Sequence, residues 1–160
     1  MNIKIKLWVY LILILVPGFS FADDSDGDRL KNYQIAVGSQ HTCALDDNDV
    51  QCWGRNVYGQ STVPTGLMNP VAVAAGHFHT CALDDNGVQC WGRDVYGQST
   101  VPSLLNPTAV AAGYFHTCAL DDNGLQCWGD NNYEQSTVPV GLVNPIAVAA
   151  GDAHTCALDD

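Results

Sequence analysis

The sequence predicts an all-β chain built from a repeated three-stranded unit, and three observations carry that prediction. One phrase recurs four times: Cys43, Cys81, Cys118 and Cys156 each sit in the word HTCAL, at spacings of 38, 37 and 38 residues. Within one period, the runs VAVAAG, HTCAL and VQCW are short, apolar or alternating, and rich in β-branched or aromatic residues. Gly and Asp-Asn-Gly clusters separate them, leaving no room for a ten-residue amphipathic helix. Third, a period of this length belongs to solenoids, propellers or arrays. With helical repeats set aside, a propeller of three-stranded blades or a β-solenoid remains.

Residues 1–22 precede the repeats and read as a secretory signal peptide. MNIKIK is a basic start, LWVYLILILVPGF an apolar run, and Ser20 and Ala22 are the small residues before the cut. The run is shorter than a membrane span needs, and Pro17 interrupts it, so no membrane attachment is expected after cleavage. Residues 23–32 form an acidic leader. Asp23, Asp24, Asp26 and Asp28 have oxygen ligands at alternate spacing, a faint calcium pattern, but no bidentate Glu follows and a solvated leader explains them.

The repeats occupy 33–69, 70–106, 107–144 and 145–160, the last being incomplete. The single short spacing has a cause: TVPTGLMNP and TVPVGLVNP carry Gly66 and Gly141, whereas TVPSLLNP has no such glycine. The deletion falls in a connector, where length changes are tolerated. The expectation is an arc of about three and a half blades, either part of a longer chain or closing its ring by self-association, because open arcs leave raw edges.

Charge narrows the partners. The chain carries a net −11. Once Lys4 and Lys6 leave with the signal, four of the six basic residues face 17 acidic ones, a net of −13. Such a surface repels nucleic acid, which needs a basic footprint.

Export implies an oxidising compartment, so the C-x8-C pairs Cys43/Cys52, Cys81/Cys90 and Cys118/Cys127 read as disulfides. A hairpin with Asp85-Asn86 as a two-residue turn places Leu83 opposite Val88 and Cys81 opposite Cys90. A three-residue turn would put the sulfurs on opposite sheet faces. Directly opposed residues have a separation that a disulfide accepts. The spacing lacks the short Cys-Cys interval of structural zinc sites, so no metal is expected there. Cys156 is left unpaired.

The phrases AAGxxHTCALxxxGxxxCWGxNxYGQ resemble the bacterial repeats of the regulator of chromosome condensation family. WGRNVYGQSTVP, with its period near 38, is similar to the short-blade propellers of the β-lactamase inhibitory protein type II kind. The resemblance covers about residues 33–160 and implies a seven-bladed β-propeller of mostly three-stranded blades. It also implies a secreted protein that binds another protein through aromatic-rich loops on one side. Asp49 and Glu134 depart from it, standing where other repeats have Gly.

Strand alternation sorts the loops into two ends. One end gathers His77, Phe78, Tyr114 and Phe115 with Arg55, Asn56, Arg93, Asp94 and Asn131, and these are the candidate protein-binding residues. The other end gathers Asp46, Asp47, Asp49, Asp84, Asp85, Asp121, Asp122, Asp159 and Asp160. Aromatics with Arg on rigid loops are the usual makings of a protein-binding surface. Trp53, Trp91 and Trp128, once per repeat, read as packing between blades. His41, His79, His116 and His154 read as hydrogen-bonding groups between blades, and Tyr58, Tyr96 and Tyr133 as connector packing. His77 and His79 could present two imidazoles on one strand face, a weak metal pattern. No G-x-S-x-G, H-E-x-x-H or P-loop occurs, so the reading is a non-catalytic binding module without a cofactor. The competing reading is a structural or calcium-linked surface repeat protein.

Overall fold

The computed structural model describes residues 33–46 and 49–160. The signal peptide, the acidic leader with its calcium pattern, and Asp47 lie outside them. The described residues hold eleven strands and no helix. They are β1 (Gln34–Val37), β2 (His41–Asp46), β3 (Asp49–Gly54), β4 (Ala72–Ala75), β5 (His79–Asp84), β6 (Gly87–Gly92), β7 (Ala109–Ala112), β8 (His116–Asp121), β9 (Gly124–Gly129), β10 (Pro145–Ala150) and β11 (Thr155–Asp159).

They form four separate antiparallel sheets, β1-β2-β3, β4-β5-β6, β7-β8-β9 and β10-β11. Among the described residues, no strand of one repeat pairs with a strand of another. That excludes the solenoid, whose repeats share continuous sheets, and leaves propeller blades side by side.

The hairpins adopt the two-residue register. Leu83 opposes Val88, Cys81 opposes Cys90, and Asp84 opposes Gly87. Blades 1 and 3 repeat it, with Cys43 opposite Cys52 and Cys118 opposite Cys127. Each opposed pair is a disulfide with Cα atoms 4.1 Å apart. Cys43, Cys81 and Cys118 are fully buried, whereas Cys156 is free and exposed.

The acidic turns are tied by hydrogen bonds to their own carboxylates. The Asp84 carboxylate accepts from Met68 N at 2.8 Å, Asn86 N at 2.8 Å and Gln89 Nε2 at 2.7 Å. Asp121 accepts from Leu105 N, Asn123 N and Gln126 Nε2 in the same way, and these bonds hold its pKa below the ordinary value against the desolvation that opposes them. Asp85 and Asp122 accept from Asn69 and Asn106, which sit at left-handed φ of 50° and 49°. The carboxylates thus tie each hairpin turn to the connector entering the same blade.

Between blades, one seam recurs three times. The Thr80 hydroxyl donates to Gln60 O at 2.8 Å and accepts from His41 Nε2 at 2.8 Å. Thr117 does the same between Gln98 O and His79, and Thr155 between Gln135 O and His116. A hydroxyl has one proton, so the imidazole must supply the other, and each ring is the neutral Nε2–H tautomer. Trp91 and Trp128 complete the first two seams, their indole N–H groups donating to Gln60 O at 3.0 Å and Gln98 O at 3.1 Å. Trp53, expected between blades, is 54% exposed, because no described blade precedes it.

Burial, then the neighbouring imidazoles of His116 and His41, push the His79 pKa down to about 4. Burial also lowers His41 and His116. A histidine whose folded pKa lies below its unfolded value takes up its proton more readily when unfolded. Stability is therefore full above about pH 6.5 and falls as pH drops toward 4. For His79 alone the loss is about 3 kcal/mol. Urea unfolding at pH 7.5 and 4.5 should show a lower midpoint at the acid value, and His79→Gln should flatten that difference.

Candidate functional site: an aromatic and arginine face

The loops β1–β2, β4–β5 and β7–β8 emerge at the same end of the arc as the connectors following β3, β6 and β9. Both kinds of loop are anchored by backbone: Arg55 N donates to Gln40 O, Arg93 N to Phe78 O and Asp130 N to Phe115 O, at 2.8–2.9 Å. Gly54, Gly92 and Gly129 turn the chain there at φ near 100°, and a Cβ at any of them would meet the neighbouring loop within 3 Å. The side chains on these loops are therefore presented from fixed backbone.

Six of the nine expected binding residues converge. Arg93 lies over three rings, its guanidinium carbon 5.0 Å from the Tyr58 centroid, 5.1 Å from Phe115 and 5.5 Å from Phe78. Arg55 lies 5.7 Å from the Phe78 ring and donates to Gln40 Oε1 at 2.8 Å. His77 stacks on Tyr114 at 3.7 Å and meets Phe78 edge-on at 3.8 Å. Tyr114 packs edge-to-face on Phe115 at 4.4 Å. Such contacts are each worth about 0.5–1.5 kcal/mol and fix the rotamers of the cluster. Burial, opposed by Asp152 and reinforced by Arg93 and Arg55, lowers the His77 pKa.

Asn56, Asp94 and Asn131 are not part of the cluster. Asn56 bonds Thr62 and Ser61, Asp94 bonds Ser99 and Thr100, and Asn131 bonds Thr137 and Ser136. These groups shape the connector that carries Tyr and Arg. Nor do His77 and His79 form a metal pair: His79 turns inward to Thr117 while His77 stacks outward on Tyr114. Among the described residues, no three His, Cys, Asp or Glu side chains converge as a metal site.

Two members of the face were read from sequence only as connector packing. Tyr58 packs on Phe78 at 5.1 Å and Tyr96 on Phe115 at 5.0 Å. Each is aimed by a buried glutamine, Gln60 or Gln98, whose Oε1 accepts from the tyrosine N–H at 2.9 Å. Tyr133 has the same brace from Gln135 but no aromatic neighbour, because Ala153 stands where Phe78 and Phe115 stand in the earlier blades. It is 76% exposed.

The family model for the regulator of chromosome condensation (RCC1) repeat matches residues 33–60, 71–98 and 108–135, just over half of the chain. The chain belongs to the RCC1 repeat family. A search of the curated proteins finds no match. Among solved structures, the RCC1 repeats here are similar to the ectodomain of the receptor kinase CR4 from Physcomitrella patens. That match has 33% identity and a TM-score of 0.65, over 78% of this chain and 35% of that one. The CRINKLY WD40 ectodomain of the Arabidopsis thaliana receptor kinase ACR4 matches at 28% identity and a TM-score of 0.63, over 79% and 45%. Prp20p from Saccharomyces cerevisiae shares the fold at 22% identity and a TM-score of 0.65, over 79% and 41%. The chain thus spans less than half the length of each of these structures.

Proposed function

We propose that this chain is an exported, non-catalytic protein-binding module, part of a seven-bladed ring, that grips its partner through the aromatic and arginine face. The observation that carries the proposal is Arg93, held over Tyr58, Phe78 and Phe115 with no carboxylate bonded to it among the described residues. Arg55 and Arg93 are the only Lys or Arg among the described residues, and both sit on this face. A net-acidic protein that concentrates its cations on an aromatic platform is built for a partner loop bearing apolar side chains and a carboxylate.

Export is supported by the three disulfides and by likeness to two receptor ectodomains. Protein binding agrees with the relatives: Prp20p was studied for its binding to Gsp1p and histones, and yeast RCC1 was solved bound to Kap60. The WGRNVYGQSTVP phrase adds a likeness to short-blade bacterial inhibitors, which makes an exported enzyme a fitting class of target. The calcium-linked alternative gains nothing from the DDNG turns, whose buried carboxylates already have donors.

The test is affinity capture from the extracellular fraction of the producing cell with the intact chain and with Phe78→Ala/Phe115→Ala. Loss of these two anchors is expected to weaken capture by about 100-fold with the β-sheet circular dichroism unchanged. Equal capture by both chains would remove this face from the account.

A further inference from the structure

Resting on the protein-binding reading above, we propose that the partner segment gripped by the aromatic and arginine face also carries a basic side chain, whose ammonium or guanidinium group docks at the mouth of the arc beside His77, Tyr114 and Asp152. The face changes sign along its length. The place held by Arg55 and Arg93 in the first two connectors is held by Asp130 in the third. In the inner loops, the place of His77 and Tyr114 passes to Asp152, and that of Phe78 and Phe115 to Ala153. Glu134 adds an exposed carboxylate to the connector of Asp130, at a left-handed φ of 62° where Gly59 and Gly97 stand in the earlier ones. The cations thus sit over blades 1 and 2, and blades 3 and 4 carry carboxylates at the same places.

The inner loops touch one another at the mouth. Ser39 N donates to Gly76 O at 3.4 Å and His77 N to Gly113 O at 3.2 Å. A Cβ at Gly76 would come within 2.5 Å of Gly113 O, and one at Gly113 within 2.6 Å of Gly151 O. Loops this close set Ser39, His77, Tyr114 and Asp152 on successive steps around a cavity of about 150 Å³. Among the described residues, the buried His77 Nδ1 has no hydrogen-bond partner. Asp152 is exposed and no described group donates to its carboxylate, whereas Asp84, Asp121 and Asp130 spend theirs on backbone, glutamine and asparagine donors. His77 stands between the two poles: burial lowers its pKa first, then Asp152 pulls it up while Arg93 and Arg55 push it down.

A partner lying on the aromatic rings covers both poles at once. Its carboxylate meets opposite charge at Arg55 and Arg93, but a second carboxylate at Asp152 would meet like charge, which a specific contact avoids. A lysine or arginine there meets the opposite sign. Ala153 leaves room for its aliphatic stem, where Phe78 and Phe115 fill the corresponding places in blades 2 and 3. The Asp152 carboxylate and the Tyr114 hydroxyl are acceptors for its head. The recognised segment is therefore acidic toward blades 1 and 2, apolar in the middle and basic toward blade 4.

The experiment titrates the whole chain with capped synthetic pentapeptides at about 0.15 M salt, where attraction to distant charge is screened. They are acetyl-Glu-Phe-Gly-Phe-Lys-amide and the versions in which Gln replaces Lys, Glu or both, and binding is followed by amide NMR shifts. The Lys peptide is expected to bind about tenfold more tightly than its Gln version, the difference that one close charge pair supplies. Asp152→Asn should remove that preference and keep the one for Glu, whereas Arg55→Gln should do the reverse. Both positions are exposed, so neither change disturbs the core. Equal binding of the Lys and Gln versions, a Lys preference that survives Asp152→Asn, or no binding by any peptide would overturn the proposal. The face itself is read separately with Phe78→Ala/Phe115→Ala. Binding unchanged by that pair would remove the platform, while platform-dependent binding without a Lys preference would remove only the basic side chain.

Discussion

Reduction of the three hairpin disulfides is expected to unfold the chain at neutral pH and room temperature. Each closes a ten-residue loop, and chain-entropy reasoning gives about 2–3 kcal/mol for a loop of that size. The three lie in separate blades, so their effects should add to roughly 8 kcal/mol, a sum comparable to the whole stability of a domain this size. The blades have little else of their own: their cores are small residues such as Ala82, Ala109, Ala111 and Ala119, with one buried leucine in each disulfide-bonded hairpin, Leu45, Leu83 or Leu120. Circular dichroism during titration with a phosphine reductant checks this. A reduced and alkylated chain that keeps its urea midpoint would show that seams between blades, and not the staples, hold the fold.

The second large effect is expected from Gly113→Ala. Gly113 sits where blades 3 and 4 converge, next to His116. An added Cβ would come within 3 Å of the His116 ring and of Gly151 O. Neither can yield cheaply, since His116 is fully buried and bonded to Thr155, and Gly151 O is backbone. The substitution should destabilise by about 3 kcal/mol or more, the upper range for overpacking a core. Gly97→Ala is the control in the same background. Nothing lies within 4 Å of its Cβ, and its only cost is a left-handed φ of 79°. That cost is about 1 kcal/mol. Urea unfolding of the two variants should therefore separate clearly, and equal losses would contradict the packed seam.

Much of this was legible in the sequence, for identifiable reasons. The hairpin register could be read because only one turn length puts sulfur opposite sulfur and apolar opposite apolar. The histidine seam could be read because His-Thr-Cys recurs at every blade. The convergence of Arg55, Arg93, Phe78 and Phe115 followed from strand direction alone.

What escaped had no residue-type signal. The seam acceptors are the main-chain carbonyls of Gln60, Gln98 and Gln135, which any residue could supply. Tyr58 and Tyr96 were hidden by regularity, since a residue repeated in every blade looks like scaffold. Their role depends on Phe78 and Phe115, which are not repeated in blades 1 and 4. Asn56, Asp94 and Asn131 looked like binding residues because they are polar and stand at the same place in each connector, the first two directly after an arginine and the third after Asp130. Their shared ability to accept from the backbone N–H of the serine five residues later is what fixes their place.

The most direct test of the central claim is to ask which end of the arc meets a partner. A photo-crosslinking phenylalanine derivative is placed at position 96, beside Phe115, or at position 122, on the acidic end. After capture and irradiation, a crosslinked partner from position 96 and none from position 122 is the result this account predicts. Crosslinking from position 122 alone would contradict it and move the binding surface to the carboxylate turns.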